Sequence, residues 1–396
     1  MTPTETRTEA ASRENRLMAA TLFAFFVSGA GTVPLGNLIP FFRAEYGLSY
    51  DFSGMLLSLQ STGNLIAIFL TGFLPLWIGR RKSVLLTSVW MLLAYVVFTG
   101  GLGGAALLPA ACLMTGIAKG GNANFSNTMM STLPGSKASV GYNLLHGAFA
   151  IGALGAPLVL IACTSQNQGG WRYLTAGLCL LCAAQIAVYG TMALPAEPAP
   201  KKGSRRVDYS FLKSRSFWLA SAILFFYISA EYAITGWMVT YFQDIGVLSQ
   251  EISQMMSSLL WLVIFLGRIA GAVLVGRISR QKLLILDGFG LLGFFLLVFT
   301  GHSQPVIVAG IAGVGLFMAT IYPSAMALGS DSIKGNDVGV SAMILAGSIG
   351  GILTPAAVGL VAEAAGIRAG MGIVVLMTVL LLGAILLACR LVKDNV

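Results

Sequence analysis

Glu231 stands in FFYISAEYAITGWMVTYF, Lys119 in TGIAKGGNANFSN and Arg268 in FLGRIAGAV. Each stretch is apolar enough to lie in hydrocarbon, where an ionised side chain costs about 3 kcal/mol or more unless a partner or ligand meets it. A carboxyl group held out of water can take up a proton on one side of a membrane and release it on the other, which makes Glu231 the candidate proton-coupling residue. Tyr227 and Thr235 flank it at helical spacing and give that face a polar stripe. The competing reading is a static ion pair with Arg268 or Lys119.

Lys119 shares a helix face with Asn122 and Ser126, and Asn124, Asn127 and Thr128 carry polarity around the same helix. That pattern suits hydrogen bonding to a polar substrate or pairing with a carboxylate. Gln60 with Asn64, and Asn143 with His146, form two further stripes at helical spacing; each amide also reads as glue between helices. Trp237, close to Glu231, offers an aromatic face to a sugar ring, with plain packing as the alternative. Arg268 stays open to two roles, a ligand contact or a packing and gating ion pair. Asp287, about a turn from a basic loop, reads as a solvated helix-end acid.

These residues need helices that cross a bilayer, and the composition supplies them. Of 396 residues 56% are hydrophobic and 10% charged. Twelve apolar runs follow, at 17–42, 53–78, 83–101, 105–130, 140–163, 171–194, 217–242, 252–275, 283–301, 306–328, 339–364 and 371–391. Each is long enough to cross about 30 Å of hydrocarbon as a helix, and the short alternating segments of a membrane barrel are not seen. With the N-terminus inside, nineteen basic residues fall in cytoplasmic segments and three, Arg43, Arg172 and Arg368, in outer loops. This bias orients the chain, so the net charge of +9 is a topology signal and implies no nucleic-acid partner. Residues 1–16 read as a short disordered cytoplasmic tail. The cysteines Cys112, Cys163, Cys179, Cys182 and Cys389 lie in or beside apolar runs and read as packing residues, with no metal site and no cofactor.

The chain repeats itself. Residues 38–58, LIPFFRAEYGLSYDFSGMLLS, align without a gap with MVTYFQDIGVLSQEISQMMSS at 238–258, and Asp51 and Glu251 each follow Leu-Ser as a first-turn acid. IGRRK at 78–82 continues that register against ISRQK at 278–282, and VGYNLLHGAFAIGALGAP (140–157) matches VGVSAMILAGSIGGILTP (338–355). GIAKGG (116–121) faces GIAGVG (310–315). Duplication divides the chain into a six-span bundle at 17–194, a basic linker at 195–216, a second bundle at 217–391 and a tail at 392–396. The repeat partners of Lys119, Glu231 and Arg268 are Gly313, Gly31 and Ile68, so symmetry does not demand those charges.

Two parallel sets of six spans, a basic linker and basic turns after spans two and eight resemble the major facilitator superfamily of secondary transporters, over 17–391. The resemblance implies an all-α membrane fold of twelve transmembrane helices in two pseudo-symmetric bundles. These would rock about a site near the bilayer midplane, a movement that many close glycine contacts would ease. It makes Arg80, Arg81, Lys82, Arg277 and Arg280 the gating-loop residues. The loop motif departs from the family pattern: Leu76-Trp77 replace its Asp-Arg, and Gly276 and Ser279 replace its Asp and Gly in the second copy. The usual charge-relay gate is therefore not implied here.

Within the superfamily, NLLHGAFAIGALGAP (143–157), the Glu231, Gly236, Trp237 and Tyr241 pattern and ATIYPSAMAL (319–328) are similar to the fucose/galactose/glucose-proton symporters. That likeness implies uptake of a monosaccharide with a proton or sodium ion, Glu231 being the coupling carboxylate. Span one, SGAGTVPLGNL, has no acid, so no first-span carboxylate is expected to share the task. The expected partners are a small-molecule substrate, the coupling ion and membrane lipid. A monomer is expected in the cytoplasmic membrane, with both termini cytoplasmic. Two alternatives stay open: an organic-anion carrier pairing Lys119 with Arg268, and a drug-efflux antiporter, whose span-five glycine motif Gly152 to Pro157 carries only in part. A receptor on the same fold is disfavoured by the lack of a sizeable extramembrane domain. Enzymatic chemistry has no matching constellation.

Overall fold

The computed structural model describes residues 3–134, 136–192, 194–195, 209–274, 277–334 and 336–391. The tail at 392–396, Gly276 and most of the basic linker, with Lys201, Lys202, Arg205 and Arg206, lie outside the described residues.

Span one is α1 (Pro3–Thr32) and α2 (Pro34–Tyr46), broken at Val33 because Pro34 has no N–H to continue the ladder. Spans two to six are α3 (Tyr50–Ile78), α4 (Arg80–Gly100), α5 (Leu108–Ser131), α6 (Ser136–Thr164) and α7 (Trp171–Thr191). Then come α8 (Arg215–Asp244), α9 (Gln250–Leu274) and α10 (Arg280–Thr300). Span ten, expected as one helix, is α11 (Gln304–Met318) and α12 (Ile321–Ile333), parted at Ala319-Thr320; α13 (Asp337–Ala365) and α14 (Ile367–Leu391) follow. Eleven helical stretches among the described residues are long and apolar enough to cross a membrane. The remaining span, α5, has 24 residues and so about 36 Å of length, but Lys119 and its amides lower its hydropathy. The tail read as disordered is helical from Pro3. Its alanines, glutamates and arginines are good helix formers that extend the span, and Glu14 pairs with Lys137 of α6 at 2.6 Å.

Two compact units emerge: Met1–Leu35 with Thr62–Lys201, and Gly36–Ser61 with Lys202–Val396. In the first, α1 packs on α6 and α5, and α4 on α5 and α7. In the second, α8 packs on α13 and α12, and α10 on α11 and α14. These are the same pairings at repeat-equivalent positions. They also close in the same way, through glycine against a facing carbonyl: Gly29 meets Phe149 and Gly152 meets Phe26 in the first unit, and Gly350 meets Phe225 in the second. A Cβ at Gly152 would overlap the Phe26 carbonyl, whereas one at Gly155 meets open space. Gly152→Ala should therefore cost about 1–3 kcal/mol and lower the melting temperature of the purified protein, while Gly155→Ala leaves it level or higher.

The 38–58 and 238–258 copies build one turn twice. Gly47 and, one register position earlier, Gly246 take φ of 63° and 69°, a left-handed geometry that glycine adopts without strain. Ser49 and Ser249 then cap the next helix, each accepting from the N–H three residues on, at 3.5 and 3.4 Å. Asp51 and Glu251 lie in the first turns of α3 and α9.

Candidate functional site

In the second unit α8 presents Tyr227 and Glu231 one turn apart, and the buried Tyr227 hydroxyl is hydrogen-bonded to the Glu231 carboxylate. Tyr322, from the first turn of α12, sets its ring 6.4 Å from that of Tyr227 at an interplanar angle of 56°. Its phenol lies in the fields of both Glu231 and Arg268. Arg268, on α9 with an exposed side chain, acts on the Tyr227 phenol as well. An acid, a cation and two phenols from three elements thus share one place. Tyr322 and Arg268 offer donors to a polar solute, and Glu231, held by the buried Tyr227 hydroxyl, is a carboxyl group that can hold a proton.

Two neighbours expected at this site point elsewhere. Thr235 spends its hydroxyl on the Glu231 carbonyl oxygen at 2.8 Å, so the polar stripe on α8 is narrower than its sequence suggests. Trp237 is 0% exposed, its indole N–H donates to the Pro355 carbonyl at 3.0 Å, and its ring lies 6.1 Å from Tyr50. The face expected for a sugar is covered by protein, since glycine on α13 lets that helix close over it.

In the first unit α5 is bonded on several sides. Asn122, 2% exposed, accepts at 3.1 Å from Gln185 Nε2 of α7, which also donates to Ser88 of α4 at 2.9 Å. Asn122 Nδ2 is buried with no hydrogen-bond partner among the described residues. Asn124 donates to Thr71 of α3 at 2.8 Å. Asn64 lies against Gly120, beside the half-buried Lys119. Asn143 and His146 are exposed on α6, and the His146 ring sits 6.0 Å edge-on to Phe25. Gln60 packs with the second unit and Asn64 with the first, so the α3 stripe divides between them. Gln185 and Ser88 escaped the sequence reading. A lone glutamine in LLCAAQIAVYG was the available signal.

The loop basic residues reach backbone oxygens: Arg80, buried, donates to the Pro195 carbonyl at 3.0 Å, and Arg280 to that of Ala327 at 3.3 Å. Arg81, Lys82 and Arg277 are exposed. Asp287 departs from expectation. It is 3% exposed and accepts a hydrogen bond from the Thr320 hydroxyl, because the start of α12 packs over the second turn of α10 and removes the expected water.

A further network ties segment 36–61 to the rest of the second unit. Asn37 donates to Gln254 Oε1 at 2.5 Å, Gln254 Nε2 returns a bond to the Asn37 carbonyl at 2.9 Å, and Ser257 donates to Asn37 Oδ1 at 3.1 Å. Asp244 accepts from Arg43 and from the Tyr50 hydroxyl, both at 2.7 Å, and Glu363 accepts from the Tyr50 N–H at 2.8 Å. Gly36 rests on the Thr235 carbonyl and Gly236, and Gly54 on the Pro355 carbonyl.

The family profile of the Major Facilitator Superfamily matches residues 21–344. An uncharacterised MFS-type transporter of Yersinia pestis is 22% identical over 364 residues, covering 90% of this chain and 92% of the relative. Among solved structures, a bacterial homologue of the human lysosomal transporter Spinster superposes with a TM-score of 0.76 at 16% identity, over 94% of this chain and 96% of that one. A D-xylose-proton symporter gives 0.74 at 18% identity, over 96% and 98% of the two chains. The E. coli fucose:proton symporter gives 0.62 at 16% identity, over 94% and 98%. At these identities the likeness to the solved structures is one of fold.

Proposed function

We propose, since the chain belongs to the Major Facilitator Superfamily and is a multi-pass membrane protein, that it is a secondary transporter moving a monosaccharide or similar polar solute together with a proton across the cytoplasmic membrane. The observation that carries this reading is the cluster of Glu231, Tyr227, Tyr322 and Arg268, a proton-holding carboxyl group set among donors suited to hydroxyl-rich solutes. The fold's likeness to two sugar-proton symporters supports it. Glu231 takes the proton, and loading or release of solute at Arg268 and Tyr322 changes how firmly it is held. In the first unit α5 carries polar groups of its own, the half-buried Lys119 and the Asn122 amide, whose protons are still to be satisfied. The Asn37 and Asp244 networks act as an outer latch, on the side that the basic-residue bias assigns to the outside. Sodium as the coupling ion is the runner-up to the proton.

A thermal-shift screen of purified protein against sugars, carboxylates and lipophilic cations at two pH values tests the substrate class. A monosaccharide at a hundred times its Kd should stabilise the protein by about 2.7 kcal/mol. Stabilisation by carboxylates alone would move the assignment to an organic-anion carrier, the reading that the exposed Arg268 and the half-buried Lys119 favour second. Lys119→Ala separates these further. Loss of one charge-assisted hydrogen bond, about 1.5–3 kcal/mol, should weaken neutral and anionic solutes alike if Lys119 only donates, and anionic solutes far more if it pairs with a carboxylate.

A further inference from the structure

Span ten breaks at Ala319-Thr320, and a carboxylate outside the Glu231 cluster stands at the break. Thr320 is the residue before α12. Its methyl group packs against Gly271 of α9, and its hydroxyl donates to Asp287 of α10. Two residues on, Tyr322 enters the Glu231 site. Broken helices in transporters place freed backbone and helix ends around coupling ions, and this break has acidic chemistry on both sides. Asp287 is more than nine-tenths buried and makes no ion pair among the described residues. A buried carboxylate with one hydroxyl donor and no cation is costly, and binding a proton removes that cost.

Among the described residues no cation pairs with Asp287, and Arg390 of α14, next to the Cys389 that reaches the Gln281 carbonyl, is exposed. The residues of α11 include no ionisable side chain, and α14 presents Leu382 and Ile385 at the adjacent Gly288. On α10 itself Arg280 is turned to the Ala327 carbonyl and Lys282 is exposed. Of the charged groups of α8 and α9, Arg215, Asp244 and Glu251 stand at the helix ends, while Glu231 and Arg268 face Tyr227 and Tyr322. The carboxylate and the hydroxyl are the two side-chain ligand groups seen at this break, fewer than a metal ion takes, whereas a proton needs the carboxylate alone. The first-half equivalent of Asp287 is Thr87, whose hydroxyl bonds its own helix at Val84 at 3.0 Å; the fold therefore builds this position without an acid.

We infer that Asp287 is a second proton-binding site, which shares the break in span ten with the solute site. The ionised form accepts from Thr320; the neutral form carries the added proton on a carboxyl oxygen and no longer binds α12 as an anion. Its part in coupling rests on the proton-linked transport proposed above, whereas its proton occupancy does not.

Infrared difference spectra of the full chain in lipid nanodiscs, switched between acid and alkaline buffer, test it. The expected acid-minus-alkaline spectrum has a carboxylic C=O band that survives in Glu231→Gln, disappears in Asp287→Asn and shifts in frequency in Thr320→Val. A band unchanged in Asp287→Asn, or absent from Glu231→Gln, would overturn the inference. Should Asp287→Asn fail to fold, an unmoved band in Thr320→Val decides against it. In proteoliposomes Asp287→Asn should lower the number of protons moved per solute, and an unchanged ratio removes Asp287 from coupling. Failure of the Glu231 assignment is distinguishable, because Glu231→Gln would then still accumulate solute whatever the Asp287 band does.

Discussion

Glu231→Gln is expected to abolish accumulation of solute against its gradient while leaving solute exchange across the membrane largely intact. Glutamine keeps the length of the side chain and an oxygen that can accept from Tyr227, so the geometry of the site survives. What it loses is the proton. Each pH unit across the membrane is worth about 1.4 kcal/mol, or tenfold in the accumulation ratio for one proton per solute. The variant should bring that ratio to about one at any pH gradient, with exchange within a few-fold of wild type. Glu231→Asp, which retains a titratable group about one methylene further back, should recover part of the accumulation. Wild-type accumulation by Glu231→Gln would remove the residue from coupling.

The second large effect is expected at the proposed outer latch. Gln254→Ala removes both partners of Asn37 on that side chain and leaves a buried amide and a buried carbonyl under-satisfied. A buried polar group stripped of its partner costs about 1–3 kcal/mol. Charged against the latched arrangement alone, that cost shifts the latched-to-open equilibrium by roughly 5- to 150-fold. Ser53 is fully buried at the base of the same turn, and Ser53→Cys is a near-isosteric reporter. Labelling of that cysteine from outside by an impermeant maleimide should accelerate by the same factor in Gln254→Ala. Arg43→Ala, by contrast, breaks a half-exposed ion pair worth at most about 1 kcal/mol and should change the rate by less than about fivefold. Equal effects of the two variants would count against Asn37 and Gln254 as the centre of the latch.

Local sequence carries the spans, because an apolar run long enough to cross a bilayer is a property of consecutive residues. It carries the duplication as well, and the twin caps of Ser49 and Ser249 are the physical content of the 38–58 and 238–258 match, with the turn glycines Gly47 and Gly246 one position apart in that register. Partners far apart in the chain are another matter. Asn37 and Gln254 are each an unremarked amide near an apolar run, and nothing local tells that they meet across 217 positions. Asp287 reads the same one turn past a basic loop whether water or α12 lies over it, and only the break in span ten decides for α12. Trp237 shows the converse, since its distance from Glu231 along α8 said nothing of the Pro355 carbonyl that holds its indole. Lys119 and Glu231 stood out for a different reason. Each is a charge that its repeat partner lacks, and the cost of charge in hydrocarbon is legible wherever the run around it is apolar.

The comparison of copies therefore separates shared helix packing from charges that one copy alone carries. Where the halves agree, at the glycine contacts of α1 with α6 and of α8 with α13, they build helix packing. Glu231, Arg268 and Asp287 occupy positions held by Gly31, Ile68 and Thr87 in the other copy, and two of the three meet at one cluster. The third sits at the helix break that supplies Tyr322 to it.

Uptake into proteoliposomes under an imposed pH gradient, using the solute that most stabilises the purified protein, tests proton-coupled transport most directly. The expected result is accumulation above equilibrium when the solute and protons enter together, release on adding a protonophore, and neither with Glu231→Gln. Solute entry that stops at equilibrium and is indifferent to the gradient would contradict proton coupling, and no entry at all would contradict the substrate assignment.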